Sequence, residues 1–263
     1  MALLDESIQF HLRVTAGQVG KYAILPGDPG RVLKIAAYLD EPEHMASNRE
    51  YVTYTGGLDG EPVSVVSTGI GGPSAAIAVE ELFRCGCRVF IRVGTCGGIN
   101  AKVTGGDLVI VSAAVRGDGA SKEYLPPDYP AAADFGVVTA LAEAAKELST
   151  GGEGDSFHVG VAQSKDSFYG EIEPGKMPVA DFLTSRWDAF VKCGCLASEM
   201  EAAAIFAVAL ARGARAGAVL TALWNVERSK AGLPDRVCES GERAVKCAVN
   251  AIRALIARDK QGE

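Results

Sequence analysis

Two runs of this chain place glycine and arginine together where an apolar, strand-like segment gives way to a turn. Gly27-Asp28-Pro29-Gly30-Arg31 follows residues 22–26, and Arg92-Val93-Gly94-Thr95-Cys96-Gly97-Gly98 follows residues 89–91. Glycine lets a backbone come close to a ligand, and the N–H groups exposed at such turns favour an anion. Arginine adds a planar fork that matches phosphate oxygens. The first run is not the dinucleotide pattern G-x-G-x-x-G, and no run fits the P-loop G-x-x-x-x-G-K-[ST]. A third turn of the same kind, Ser67-Thr68-Gly69-Ile70-Gly71-Gly72-Pro73-Ser74, lies between them. Each alone also reads as a tight strand-to-helix turn with proline opening the helix. Three of them at successive strand ends point to a ligand at the carboxyl edge of an open α/β sheet.

Three further groups carry chemistry in more than one reading. Arg49-Glu50 is a solvated ion pair or a contribution to an anion site. Ser198-Glu199-Met200-Glu201 opens an apolar helix, with Ser198 and Glu201 spaced as a capping box; the same carboxylates would accept hydrogen bonds from sugar hydroxyls. Asp166-Ser167-Phe168-Tyr169 puts aromatics at a strand exit, where Phe168 is either core or a stacking platform for a planar ring.

The elements that must position these residues follow from hydrophobic periodicity. Strand-like segments span 21–26, 63–68, 88–93, 106–113, 157–163 and 216–224, and helix-like segments span 30–38, 73–84, 135–148, 199–212 and 237–258. Such alternation predicts one α/β domain over residues 1–263, with a central mixed, largely parallel twisted sheet flanked by helices. Asp59-Gly60, between Tyr51–Tyr54 and Val63–Val66, signals a hairpin. Residues 149–156 read as a surface turn rather than a linker. The polar stretches 169–188 and 225–236 read as irregular binding loops or lids.

Bulk properties narrow the class. Lys plus Arg number 26 against 33 Asp plus Glu, a net charge of −7. That excess of acid argues against a nucleic-acid surface. It also makes the local placement of Arg31 and Arg92 informative. The opening residues lack a basic region followed by an apolar one, so no secretory signal is expected. No uncharged apolar run reaches the ~18 residues of a membrane span. The seven cysteines include the pairs Cys85/Cys87 and Cys193/Cys195, but no C-x-x-C. These read as free thiols of a cytoplasmic protein, or the pairs as redox-active, rather than as metal ligands or structural disulfides.

Taken together, Gly27-Asp-Pro-Gly-Arg31, Asn48-Arg49-Glu50, Ser67–Ser74, Ile77-Ala-Val-Glu-Glu-Leu82, Arg92-Val-Gly-Thr95 and Glu199-Met-Glu201 resemble the nucleoside phosphorylases of the hexameric type. Val115–Ser121 and Asp134-Phe135 look like the uridine branch, and the resemblance runs from about His11 to the last helix. It implies phosphate-dependent cleavage of uridine to uracil and ribose 1-phosphate, with purine or broad specificity as the alternative. The resemblance also assigns residues. Gly27, Arg31, Arg92, Gly94 and Thr95 would hold phosphate, joined by Arg49 from a neighbouring subunit. Glu199, Met200 and Glu201 would bind ribose, with His11 reaching its 5′-hydroxyl from the neighbour. Phe168 would stack near the base, beside the backbone around Cys96 and Gly97. Glu50, Ile70 and Ser74 match positions that hold a monovalent cation, such as potassium, at the dimer interface of some relatives. No organic cofactor is implied, phosphate being a co-substrate, and the active unit would be a homodimer or a larger ring of dimers.

The match departs at the base. Uridine phosphorylases place a Gln and an Arg on uracil shortly after the Phe-Tyr pair, where this chain reads Gly170-Glu171-Ile172-Glu173-Pro174-Gly175-Lys176. Lys176, Arg186, Gln163 and Arg228 are the candidate substitutes. The Ser-Asp of purine members is replaced by Trp224-Asn225, and Glu227 would serve as a proton donor only if burial raised its pKa.

Overall fold

The computed structural model describes residues 8–152 and 154–262. Residues 1–6, on which the signal-peptide reading rests, and Glu153 of the 149–156 turn lie outside the described residues. In chain order the elements are β1 (Tyr22–Pro26), α1 (Val32–Ala36), β2 (Asp40–Asn48), β3 (Tyr51–Leu58), β4 (Glu61–Val66), α2 (Gly72–Arg84), β5 (Val89–Gly98), β6 (Leu108–Gly117), β7 (Ala131–Ala132) and α3 (Phe135–Glu147). The second half continues with β8 (Phe157–Lys165), α4 (Phe168–Ile172), α5 (Ala180–Lys192), β9 (Ala197–Glu199), α6 (Ala202–Arg212), β10 (Arg215–Asn225), α7 (Val226–Lys230) and α8 (Glu242–Gln261).

The sheet is mixed. Its order is β10-β6-β8-β9-β5-β1-β4-β3-β2, and β10 also pairs with β5. The strands β5, β10, β6, β8 and β9 therefore close into a ring, and β1, β4, β3 and β2 extend from β5 as a wing. Parallel pairing joins β4 to β1, β1 to β5, β5 to β10, β6 to β8 and β8 to β9. The antiparallel joins are the β2–β3 and β3–β4 hairpins, the closing contacts β6–β10 and β5–β9, and the short strand β7 on β6.

Alternation along the buried strands feeds two apolar layers. Ala23 and Leu25 of β1 and Phe90 of β5 point into one layer, filled by α2 and α6. Tyr22 and Ile24, with Val89, Ile91 and Val93, point into the other, filled by α1, α3 and α8. Helix α8 buries Ala244, Cys247, Ala248, Ala251, Ile252, Leu255 and Ile256, the spacing of a one-sided helix. Helix α6 buries every residue from Ala202 to Ala209, as a helix with no solvent face must.

Several elements differ from the sequence reading. The polar stretch 169–188 is not irregular: it holds α4 and most of α5. Leu183, Trp187 and Phe190 recur at helical spacing there, but charged and hydroxyl residues between them obscure the period. Segment 225–236 begins with α7, which Asn225 caps by accepting from the N–H groups of Glu227 and Arg228. The edge strand β2 was not legible because Asp40, Glu41 and Glu43 face solvent and give no apolar alternation. The 30–38 helix is a 3₁₀ turn (Pro29–Arg31) followed by the short α1.

The end of α8 is tied to the start of β1 by Asp259, which accepts from Tyr22 Oη at 2.7 Å, Lys21 Nζ at 3.0 Å and Arg215 Nη2 at 2.6 Å. Burial acts to raise the Asp259 pKa, but the hydrogen bonds from Arg215, Tyr22 and Lys21 outweigh it and hold the carboxyl down at about 2, against 3.8 ordinarily. A depressed carboxyl stabilises the fold above its unfolded-state pKa and loses that contribution as pH falls through the folded value. Asp259→Asn should therefore lower stability at pH 7 and flatten the loss between about pH 4 and pH 2. Urea unfolding midpoints across that range measure both.

Candidate active site

Adjacent strands bring the glycine turns together. In the β1–β5 register Pro26 lies opposite Val93, so Gly27 and Gly94 leave their strands side by side. On the other side of β1, the Thr68 N–H donates to the Pro26 carbonyl at 2.9 Å, and this draws the third turn to the same corner. β9 pairs with the far end of β5, Ser198 opposite Gly97, and delivers Glu199, Met200 and Glu201. A cavity of about 660 Å³ opens at this corner, lined by Gly27, Arg31, Arg92, Gly94, Thr95, Cys96 and Gly97 from the first two turns. Glu50, Ile70, Phe168, Glu199, Met200 and Glu201 complete the expected residues around it. Its size suits a small organic ligand.

Arg92 is the centre of the site. It is 4% exposed. Its Nε donates to Glu199 Oε2 at 2.8 Å and its Nη2 to Glu201 Oε2 at 2.5 Å. Its third nitrogen, Nη1, is buried and has no partner among the described residues. Gly94 makes room for this guanidinium: a Cβ there would sit 2.8 Å from Nη2. Burial opposes the charge on Arg92, but Glu201 and Glu199 outweigh it and raise its pKa, so it stays a cation.

The two carboxylates divide their labour. Glu199 is filled by protein donors: Arg92 Nε, the Ser164 hydroxyl, and the N–H groups of Glu201 at 2.8 Å and Ala202 at 2.9 Å. It fixes Arg92 and starts α6. The capping-box reading is thereby corrected: α6 begins at Ala202, Ser198 belongs to β9, and the capping carboxylate is that of Glu199. Glu201 accepts from Arg92 and from the Gly71 N–H at 2.6 Å. Gly71 can present that N–H because it adopts φ +94°, which side chains rarely tolerate. Burial pushes the Glu201 carboxyl above its ordinary pKa, and the Arg92 charge opposes the push.

Other expected residues lie elsewhere within this chain. His11 lines a separate cleft with Phe10, Ile77 and Glu80, and its Nδ1 is 2.7 Å from Glu81 Oε1. Arg49 is exposed at the tip of the β2–β3 hairpin, with φ +55°. Arg228 does not line the cavity: its Nη1 donates to the Ala101 carbonyl at 2.6 Å and its Nε to the Pro234 carbonyl at 2.8 Å, which braces a loop. Lys176 is exposed and pairs with Glu173 at 2.8 Å. Glu227 is not a proton donor in waiting. Burial acts to raise its pKa, but hydrogen bonds from Lys230 and Trp187 prevail and lower it. Asn225 is fully buried, and its amide donates to the carbonyls of Asn100 and Val103, both at 2.8 Å.

Two of the cation candidates, Glu50 and Ser74, meet. Ser74 Oγ donates to Glu50 Oε1 at 2.8 Å, and backbone and Ser74 hydrogen bonds lower the Glu50 pKa. Ile70 is 78% exposed and lines the cavity with Glu50. Lys165, Glu171, Trp187 and Trp224 also line the cavity and were not expected there. The chain has only two tryptophans, and both stand at this wall, a rarity that was a usable signal. The seven cysteines are free; burial pushes Cys85 and Cys195 up to about 11, which suits inert thiols.

Comparisons with known proteins bear on the family. A family model described as the phosphorylase superfamily matches residues 21–257. A protein named uridine phosphorylase from Treponema pallidum (strain Nichols) is 47% identical over 251 residues, covering 95% of this chain and 95% of the relative. The uridine phosphorylase of Escherichia coli (strain K12) is 42% identical over 262 residues, covering 96% of this chain and all of the relative (100%). A guanosine phosphorylase of Halorubrum lacusprofundi is 41% identical over 254 residues, covering 94% of this chain and 99% of the relative. On this identity and coverage, and with its glycine turns gathered around a half-satisfied buried arginine, the chain belongs to the phosphorylase superfamily.

Proposed function

We propose that this protein is a pentosyltransferase that cleaves uridine with inorganic phosphate, giving uracil and ribose 1-phosphate. One observation carries the reading: a buried arginine nitrogen, Arg92 Nη1, without a partner among the described residues, in a cavity that also holds Glu201. An orphaned buried donor is costly unless a ligand completes it, and a phosphate oxygen is the acceptor a guanidinium fits best. Arg31, Thr95 and the turns at Gly27 and Gly94 line the same corner and complete an anion cradle. Glu201, held by Arg92 and Gly71, accepts from ribose hydroxyls, and Met200 packs beside the sugar. Phe168, which is 43% exposed, stacks on the base.

In this arrangement a phosphate oxygen forms a bond to the anomeric carbon as the bond from that carbon to the base nitrogen breaks. The electron pair leaves with the base, which then takes up a proton. The sugar acquires oxocarbenium character. The phosphate dianion beside it stabilises that charge, and fixing both reactants removes much of the entropic barrier. No protein nucleophile takes part.

Arg49 and His11 fall outside the cavity of their own chain. Their reading is a contribution to a neighbour's site in a homodimer or a ring of dimers: Arg49 to phosphate and His11 to the ribose 5′-hydroxyl. Glu50, ionised and hydrogen-bonded to Ser74, is suited to a monovalent cation at that interface, with Ile70 adjoining. Among the described residues no helix is long and apolar enough to cross a membrane. A purine nucleoside is the second substrate reading, supported by the relative named guanosine phosphorylase.

Uridine cleavage should require phosphate: uracil release, followed by absorbance, should be at background without phosphate and rise saturably with it. Equal cleavage in its absence would identify a nucleosidase and overturn the reading. Arg49→Ala should raise the phosphate KM by about tenfold or more, the worth of a charge-assisted hydrogen bond. An unchanged KM would remove Arg49 from the site.

A further inference from the structure

The base end of the cavity carries a charged pair that the phosphate and ribose chemistry leaves unused. Lys165 ends β8 and Glu171 lies in α4, one on each side of Phe168. Lys165 Nζ is 3.0 Å from Glu171 Oε1, with side chains 12% and 13% exposed. Lys165 Nζ also donates to Ser198 Oγ at 2.7 Å and stands 5.8 Å from the centre of the Phe168 ring. Glu171 Oε2 accepts from Ser198 Oγ at 2.7 Å and from the Gln163 amide.

Counting bonding capacity shows what is left over. An ammonium has three donors, and two are used here; a carboxylate offers about four acceptor positions, and three are used. The pair lines the cavity and has one donor and one acceptor position not taken by the protein contacts above. It also stands where the cavity meets a second chamber of about 470 Å³, lined by Leu183, Trp187, Phe190 and Trp224 as well as by the pair itself. The two chambers share Lys165, Glu171, Trp187 and Trp224 in their walls, so the pair stands where a ring larger than a pyrimidine would extend.

We propose that Lys165 and Glu171 together read the nucleobase, selecting bases that present a carbonyl oxygen beside a ring N–H. The ammonium donates to the carbonyl and the carboxylate accepts from the N–H. Uracil, hypoxanthine and guanine offer that edge. Cytosine and adenine turn a bare ring nitrogen to the carboxylate and an amino group to the ammonium, so both contacts become repulsive. Leaving a buried charged partner unpaired is what gives polar recognition its discrimination. This inference rests on the phosphorolysis reading for its substrate class.

The test measures phosphorolysis of uridine and cytidine, and separately the binding of uracil and cytosine by calorimetry, for the full-length protein and two variants. Glu171→Ala should lower kcat/KM for uridine, and uracil affinity, by about 10- to 100-fold, the range for a hydrogen bond to a charged group, with the phosphate KM unchanged. Glu171→Gln, which adds a donor without changing volume, should narrow the preference for uridine over cytidine by about tenfold on the same basis. Unchanged base preference in both variants would overturn the proposal, as would a loss shared equally by phosphate KM, which marks a purely structural pair. If the unaltered protein cleaves no nucleoside, the phosphorolysis reading fails; uracil calorimetry still decides the role of the pair.

Discussion

The buried guanidinium of Arg92, pinned on two sides and open on the third, is the constraint around which the site is built. Glu199 and Glu201 neutralise it and fix its plane. Removing either would strand a charge in a low-dielectric setting, where breaking a buried pair costs about 3–5 kcal/mol. The remaining nitrogen is left for a ligand rather than for the protein. An unsatisfied buried donor costs about 1–3 kcal/mol, so the free protein carries a penalty that an anion relieves on binding. The arrangement thus couples the anion cradle to the sugar carboxylate through one side chain: whatever moves Glu201 moves the guanidinium as well.

Strand order makes this geometry inexpensive in backbone terms. β4, β1 and β5 run parallel side by side, so the turns that leave them come out at one corner without long loops. β9, only three residues long, pairs antiparallel with the end of β5 and sets Glu199 next to Arg92. The closed ring of β5, β10, β6, β8 and β9 then places α4, which carries Phe168 and Glu171, across the same opening from β10 and Trp224. Parts from distant segments of the chain meet because the sheet edge is shared, not because they are near in sequence.

That division decides how much was legible in the chain. Apolar runs announced β1, β5, β6, β10, α2 and α3, which bury a face or the whole strand, and also β8, although Val159 and Val161 of β8 are exposed. The Asp59-Gly60 hairpin and the glycine turns announced themselves by residue type. What stayed hidden lacked a periodic signal: β2, an exposed acidic edge, and α5, whose cavity-facing Leu183, Trp187 and Phe190 alternate with polar residues. Glu199 read as a sugar ligand or as part of a helix opening, and the structure gives it to Arg92 and the start of α6. Arg228 read as a base contact because of its charge, but nearby carbonyls claim it. Lys165 and Glu171 were invisible as a pair, because only the fold brings the end of β8 and α4 to the same wall.

The most direct test is a crystal structure with inorganic phosphate bound. A phosphate oxygen within about 3 Å of Arg92 Nη1, the distance of a charge-assisted hydrogen bond, with Gly27 and Gly94 at the same anion, is the predicted result. Phosphate held elsewhere, with that nitrogen still without an anionic partner at saturation, would contradict the account.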